Sequence, residues 1–593
     1  MNCARNRINA ARLAAALMLT CMAGSGAQAQ SSNAAPAAAL APGLAVAAGA
    51  SANAPFPHGP HPFGTGPSVA PASALDGSEV DKQNGGDKIN PNRFRDDSGP
   101  AADTPFQAPE PATLATLART PGAATAATFT TTDWPTSGMN RQRTGYNPVE
   151  TVLNATNVST LRQHWASPVL DGAILTQPVL ATGVMINNVP TDIVYVATEG
   201  NTTWALNAAT GAKIWQSAAI PQAVLSQGCS GLFQGKIGVQ GTPVIDHANN
   251  RLFVVSGKGY LHAYDMATGA DLPGFNLALL DAANVSPRTM VYGGLTLSPD
   301  GSSIYVTTAG DPCDTQPYHG QVVRASTTNP AAILQRWFPT GASGPNGGGI
   351  WGFGGVSIPP DGTVVYALTG NAFATPENAG FAEHVVKLTP TLAVAASNSP
   401  LSPAPNADID FGATAMLFQR PNCPTMLAAY NKSGRLFIYN RATIQQAGPI
   451  QTFTIAVSSE DGSNIGMPAF DPVLNQLYVV SPSDSGTYKH GLIALSIGGT
   501  CSVNPTPVWQ TQVGLNTPNF NPAIPPVAAN GVVYYADGMG NDVYAFNATN
   551  GAILFHAHYT PVKTGEGNFA SPSVVNGQVF VAGSDHVVHA YGL

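Results

Sequence analysis

The sequence predicts an all-β fold: an eight-bladed β-propeller of four-stranded antiparallel blades, closed by an N-terminal strand that pairs with the last blade. Three observations carry this. A pattern of strand, tight turn, strand and Ala-Thr-Gly-type turn recurs along the chain, eight copies fit into about 430 residues, and the last copy stops one strand short.

The clearest copy is VYVATEGNTTWALNAATGAKIW, residues 194 to 215, in which apolar and polar residues alternate on either side of turns at Gly200-Asn201 and Thr210-Gly211. RLFVVSGKGYLHAYDMATGADLPGF from Arg251, GVVYYADGMGNDVYAFNATNGAILF from Gly531 and QVFVAGSDHVVHAYGL from Gln578 repeat it. Weaker copies lie at SSIYVTTAG (302 to 310), TVVYALTGN (363 to 371), TMLAAYNKSGRLFIYNR (425 to 441) and QLYVVSP (476 to 482). One such unit is too small to fold alone, so the copies must pack on one another. The last unit ends at Tyr591-Gly592-Leu593, and TLRQHWAS (160 to 167) resembles the piece KIWQSA (213 to 218) with no strands before it. Pairing these two segments closes the ring and removes the exposed sheet edges of an open array.

Composition sets the surroundings. Residues 1–29 carry Arg5, Arg7 and Arg12, the apolar run LAAALMLTCMA and Ala27-Gln28-Ala29, the pattern of a secretory signal peptide, so the chain is expected to be exported to the periplasm or beyond. Residues 30–130 are rich in Ala, Pro, Gly and Ser and read as a disordered tether, leaving 131–593 for the propeller. No later run is long and apolar enough to span a membrane. With 25 Lys and Arg against 33 Asp and Glu, a net charge of -8 and no basic stripe, nucleic acid is not an expected partner. Cys229, Cys313, Cys423 and Cys501 remain after the signal and suit two disulfides in an exported chain; three pairings are open, of which Cys229 with Cys313 and Cys423 with Cys501 is favoured. No Cys-x-x-Cys-His motif is present for an attached c-type haem, so any electrons would leave through a separate acceptor.

The repeat, with its Ala-x-x-x-x-Gly-x-x-x-Trp ending (Ala205 or Ala208, Gly211, Trp215), resembles the pyrroloquinoline-quinone (PQQ)-type propeller repeat, and DWPTSGMNRQRTGYNP (133 to 148) is similar to the segment that precedes the first blade in secreted members. That fold carries quinoprotein alcohol dehydrogenases and also non-catalytic scaffolds. GGGIWGFGGVSIPPDGTVVYALTGNAF (347 to 373) resembles the part of the dehydrogenases in which a Trp underlies the quinone ring and an Asn holds the metal, which implicates Trp351 and Asn371. ADIDFGAT (407 to 414) is similar to the segment with the catalytic aspartate, implicating Asp408; Asp410, on the same side of an extended chain, matches the extra carboxylate of lanthanide-dependent members. NKSGRLFIYNR (431 to 441) implicates Lys432 and DGSNIGMPAFDP (461 to 472) implicates Asn464 as quinone contacts.

Two departures stand against the resemblance. The family's metal-binding glutamate should fall in DPCDTQPYHGQVV (311 to 323), where no Glu occurs and Asp314 is nearest, and the adjacent-cysteine disulfide beside the quinone is absent. His319 sits where the family has a basic residue near the quinone and is either a proton-transfer group or a structural His at a loop end. The resemblance thus implies an oxidoreductase that uses PQQ and a calcium or lanthanide ion to oxidise an alcohol or other hydroxylated substrate. Asp408 would be the base and Asp314, Asn371, Asp408 and Asp410 the metal ligands. The alternative is a scaffold that binds an envelope protein or glycan. Three carboxylates this close repel one another unless a cation lies between them, so without one at least one should have a raised pKa.

Overall fold

The computed structural model describes residues 132–593 other than 225–235, 281–287, 312–313, 330–331, 401–407, 459–465, 518–522, 539, 563–568 and 584. The signal peptide, the tether up to residue 130, Cys229, Cys313 and Asn464 therefore lie outside the described residues.

Each repeat becomes one small antiparallel sheet, and there are eight. Blade 1 is Val179–Ile186, Val189–Ala197, Thr203–Asn207 and Lys213–Gln216, paired in sequence order. Blades 2, 3, 5, 6 and 7 follow the same order within 244–278, 296–337, 416–454, 469–511 and 527–558. Blade 4 keeps three strands, Val365–Leu368, Val385–Leu388 and Val394–Asn398, and a single bridge from Ser357 to Tyr366 stands where its inner strand would run. Its departure from four strands falls in the most degraded part of the repeat. One short α-helix, Ile444–Ala447, occurs among the described residues, and no helix there is long and apolar enough to cross a membrane.

The expected closure is present. Arg162–Ala166 runs antiparallel to Val588–Gly592, with Gln163 opposite Tyr591 and Ala166 opposite His589, and supplies the outer strand of blade 8. The spacing of Gly and Trp in the repeat also acquires a physical meaning. Trp215 of blade 1 donates its indole N–H to the Met266 carbonyl of blade 2 at 2.9 Å, and its ring covers Gly269. Gly269 has φ +72°, and a Cβ there would lie 2.5 Å from the indole. Trp165 docks in the same way on Ala208 and Gly211, and Trp509 on Ala548 and Gly551. A turn that needs a left-handed residue and a flat surface for the neighbour's indole can hold only glycine.

The segment at 133–150 is a hub that reaches the inner edge of every blade. Trp134 exchanges backbone hydrogen bonds with Leu180 of blade 1, the Pro135 carbonyl accepts from Ile245 N–H of blade 2, and Arg141 Nε donates to the Leu297 carbonyl of blade 3. The carbonyls of Arg141, Gln142, Thr144 and Gly145 accept from Ile358, Leu417, Phe470 and Ala528 of blades 4 to 7. Asn147 Nδ2 donates to the Val574 carbonyl of blade 8 at 2.7 Å. Arg143 is fully buried and donates to Ser137 and Val356 carbonyls and to Thr136 and Thr296 hydroxyls, and burial lowers its pKa to about 9.

Two stability outcomes are expected. Arg143→Met leaves several buried acceptors without a donor and should lower the unfolding free energy by about 3 kcal/mol or more, read by urea denaturation. The Cys423–Cys501 disulfide is present with a separation of 78 residues, so Cys423→Ser with Cys501→Ser should cost about 4 kcal/mol by the loop-entropy relation, and the loss should disappear when wild type is compared under reducing conditions.

Candidate functional site

In each blade the second strand leads through a turn into the third, and these turns open on the same end of the ring as the links that enter the inner strands. Asp314 and His319 lie in this turn of blade 3, Asn371 in blade 4 and Lys432 in blade 5, whereas Trp351 and the pair Asp408 and Asp410 lie on the links into blades 4 and 5. Residues 61 positions apart in sequence thus meet, because 371 and 432 occupy equivalent turns of neighbouring blades.

The meeting point is Asp410. Its Oδ1 accepts the Asn371 backbone N–H at 2.6 Å and its Oδ2 accepts the Trp351 indole N–H at 3.0 Å. Lys432 Nζ donates to Asp408 Oδ1 at 2.6 Å, stands 3.6 Å from Asp410 Oδ2 and lies 5.4 Å from the centre of the Trp351 ring. The Lys432 backbone N–H donates to the Asp410 carbonyl at 2.9 Å, which ties the turn of blade 5 to the link that precedes it. A Cβ on Gly370 would meet the Asp410 carboxyl at 3.0 Å, so a larger residue there would press on that carboxyl.

Burial disfavours the Lys432 ammonium, but Asp408 and then Asp410 outweigh it and hold its pKa above the usual lysine value. Asp314, whose Oδ1 accepts the Tyr318 hydroxyl at 2.9 Å, is half-buried, and desolvation followed by the charges of Asp408 and Asp410 pushes it up to about 7. The expected proton-holding carboxylate is therefore Asp314, although desolvation contributes more than repulsion.

Asp408 and Asp410 do not share the side of an extended chain: Asp408 has φ +54°, in the left-handed region, and the segment forms no strand. It is the Lys432 ammonium, lying between the two carboxylates, that draws them together. Asp314 and Glu383 also have positive φ, +51° and +55°. Left-handed backbone at three acidic residues of one site is the strain that recurs at functional centres.

Glu383, Glu199, Tyr318 and Tyr292 were not anticipated. Glu383 Oε1 accepts the Ile409 N–H between the two aspartates at 3.1 Å, and burial and Asp410 raise its pKa to about 8. Glu199 accepts from Gly238 N–H at 2.6 Å and Gln240 Nε2 at 2.8 Å, and burial raises it to about 7. It occupies in blade 1 the turn that Lys432 occupies in blade 5, so aligning the repeats on that turn would have found it. Tyr292 is half-buried, its pKa driven up by desolvation and then by Asp311, Asp314 and Glu199. His319 is buried, and its backbone bridges to Gly347 rather than standing at an open loop end.

Asp314 lies within electrostatic reach of Asp408 and Asp410, and Asn371 meets Asp410 through its backbone N–H, yet no group of three His, Cys, Asp or Glu side chains among the described residues is arranged to hold an ion. Both oxygens of Asp410 accept N–H donors, and a cation placed beside them would face the Lys432 ammonium at a cost of about 4 kcal/mol per unit charge at 4 Å. An aromatic face and a lysine do converge, and these are what a planar anionic quinone would need for stacking and charge. The donor set thus suits the quinone and not the ion.

Residues 134–278 match the family described as the β-propeller domain of glucose, ethanol and alcohol dehydrogenases, and the ring of eight blades agrees with it. The chain folds as an eight-bladed β-propeller whose first part matches that family. This propeller superposes on the quinohemoprotein alcohol dehydrogenase of Comamonas testosteroni with a TM-score of 0.56 at 17% identity, over 78% of this chain and 80% of that one. A europium-containing methanol dehydrogenase gives 0.56 at 15%, over 78% and 98%, and a quinohemoprotein alcohol dehydrogenase from Pseudomonas putida HK5 gives 0.54 at 14%, over 78% and 80%. At such identities the likeness is one of fold. Comparison with curated proteins gives no match.

A carboxyl whose folded pKa is raised keeps its full contribution below its unfolded pKa and loses it as pH rises through the folded value. Glu199 and Asp314 at about 7 and Glu383 at about 8 all have this sign. The melting temperature of the propeller should therefore fall between about pH 5 and pH 8.5, and Glu199→Gln and Glu383→Gln should each flatten that slope in a calorimetric series.

Proposed function

We propose that the protein is an exported quinoprotein-type oxidoreductase that oxidises an alcohol or other hydroxylated substrate and passes electrons to a separate acceptor. The observation that carries this reading is the convergence of Trp351, Lys432, Asp408 and Asp410 from the fourth and fifth blades onto one buried cluster. Charged groups packed this closely in a protein interior with perturbed proton affinities mark functional sites more often than structural ones.

A bound pyrroloquinoline quinone would supply the electrophilic carbonyl that accepts the hydride equivalent. Trp351 offers the aromatic face for a planar ring, and Lys432 the cationic donor for its oxygens. His319 and Asn464 are assigned to the same quinone, His319 from the blade 3 turn. Asp408 is the base that takes the substrate hydroxyl proton. Its side chain is 24% exposed against 9% for Asp410, so of the two it is the one a substrate can reach. Asp410 does the positioning: it holds the indole of Trp351, the Asn371 backbone and, through its own carbonyl, the Lys432 turn. Glu383 fixes the backbone between the two aspartates.

The test is a fluorescence titration of the purified protein with the quinone, followed by dye reduction with primary and secondary alcohols. Saturable quenching of tryptophan emission, lost in Trp351→Ala, is expected. Asp408→Asn should retain quenching and lose turnover by about 10²–10⁴-fold. Absence of both quenching and dye reduction would leave a non-catalytic propeller that binds a protein or glycan partner.

A further inference from the structure

We infer that the Lys432 ammonium is the resident cation of this site and closes it to calcium and lanthanide ions. The inference deepens the quinoprotein reading, since it concerns the charge beside the same ring, but it is decided by ion binding alone.

The chemistry is local. Two carboxylates, Asp408 and Asp410, and one ammonium occupy the space in which the sequence places a metal ion, with Nζ at 2.6 Å from one and 3.6 Å from the other. The remaining negative charge is met by two fixed donors, the indole N–H of Trp351 and the backbone N–H of Asn371, both on Asp410. Asp314 gives one oxygen to the Tyr318 hydroxyl, and its segment contains no glutamate that could reach further. An ion of charge two or three needs six or more oxygens, several of them anionic, at short range. Here it would have to expel a buried lysine whose side chain is 9% exposed and take oxygens already committed to N–H groups. Ammonium and ion therefore compete for the same carboxylates.

Removal of the ammonium should reverse the preference, because two buried aspartates are then left facing one another without a counter-charge. Chelator-treated full-length protein would be titrated with terbium, whose luminescence is sensitised by a nearby indole, and with calcium by calorimetry. Wild type is expected to show no saturable site for either ion. Lys432→Met and Lys432→Gln should acquire a terbium site at least about tenfold tighter than any residual wild-type binding, abolished by a second substitution, Asp410→Asn. Circular dichroism would establish that each variant is folded. A saturable wild-type site lost in Asp408→Asn or Asp410→Asn overturns the inference, and so does a folded Lys432→Met that gains no affinity. Failure of the quinone to quench Trp351 fluorescence in any of these preparations would instead count against the dehydrogenase reading and leave the ion result standing.

Discussion

The inner strand of every blade has one edge that its own sheet cannot satisfy, because beyond it lies only the axis of the ring. Backbone groups buried there need partners, and water cannot supply them in a close-packed centre. The segment at 133–150 answers this for all eight blades with carbonyls, amides and the side chains of Arg141, Arg143 and Asn147. It folds back on itself through Gly138 and Gly145, both at positive φ, and Arg143 is held at its centre entirely by neutral oxygens. The ring is thus held twice, at its rim by Arg162–Ala166 and at its axis by the residues just before.

Between rim and axis the blades dock through Trp on Gly, blade 8 on blade 1 by Trp165, blade 1 on blade 2 by Trp215 and blade 6 on blade 7 by Trp509. Blades 3 to 5, where the motif fades, carry the charged cluster. The two facts belong together. Turns on the open end of the ring lie outside the four-stranded ladders of the blades and can exchange packing residues for acids, a lysine and strained backbone, provided the outer strands keep each blade in register. Left-handed Asp314, Glu383 and Asp408 are sustained by the surrounding strands in this way.

Within the cluster the governing term is desolvation. It raises Glu199, Asp314 and Glu383 towards neutrality and opposes the charge on Lys432, which survives only because Asp408 and Asp410 flank it. Lys432 between its two aspartates forms the charged centre of the site, and Asp314 and Glu383 beside it have raised proton affinities.

Much of the architecture was legible in the sequence, since period-two alternation, turn chemistry and a truncated last repeat are local signals that survive without neighbours. Eight blades, the closing strand at 162–166 and the ordered set Trp351, Asn371, Asp408, Asp410 and Lys432 follow from them and from the resemblance they support. What only tertiary structure decided were distances between residues far apart in the chain. That one ammonium sits between two carboxylates, that Glu383 holds the backbone between them, and that the segment before the first blade reaches the inner edge of all eight blades depend on ring closure, which sets equivalent turns side by side. Sequence spacing records which turn a side chain occupies, whereas the position of its charged atom is settled by the field and packing of neighbouring blades.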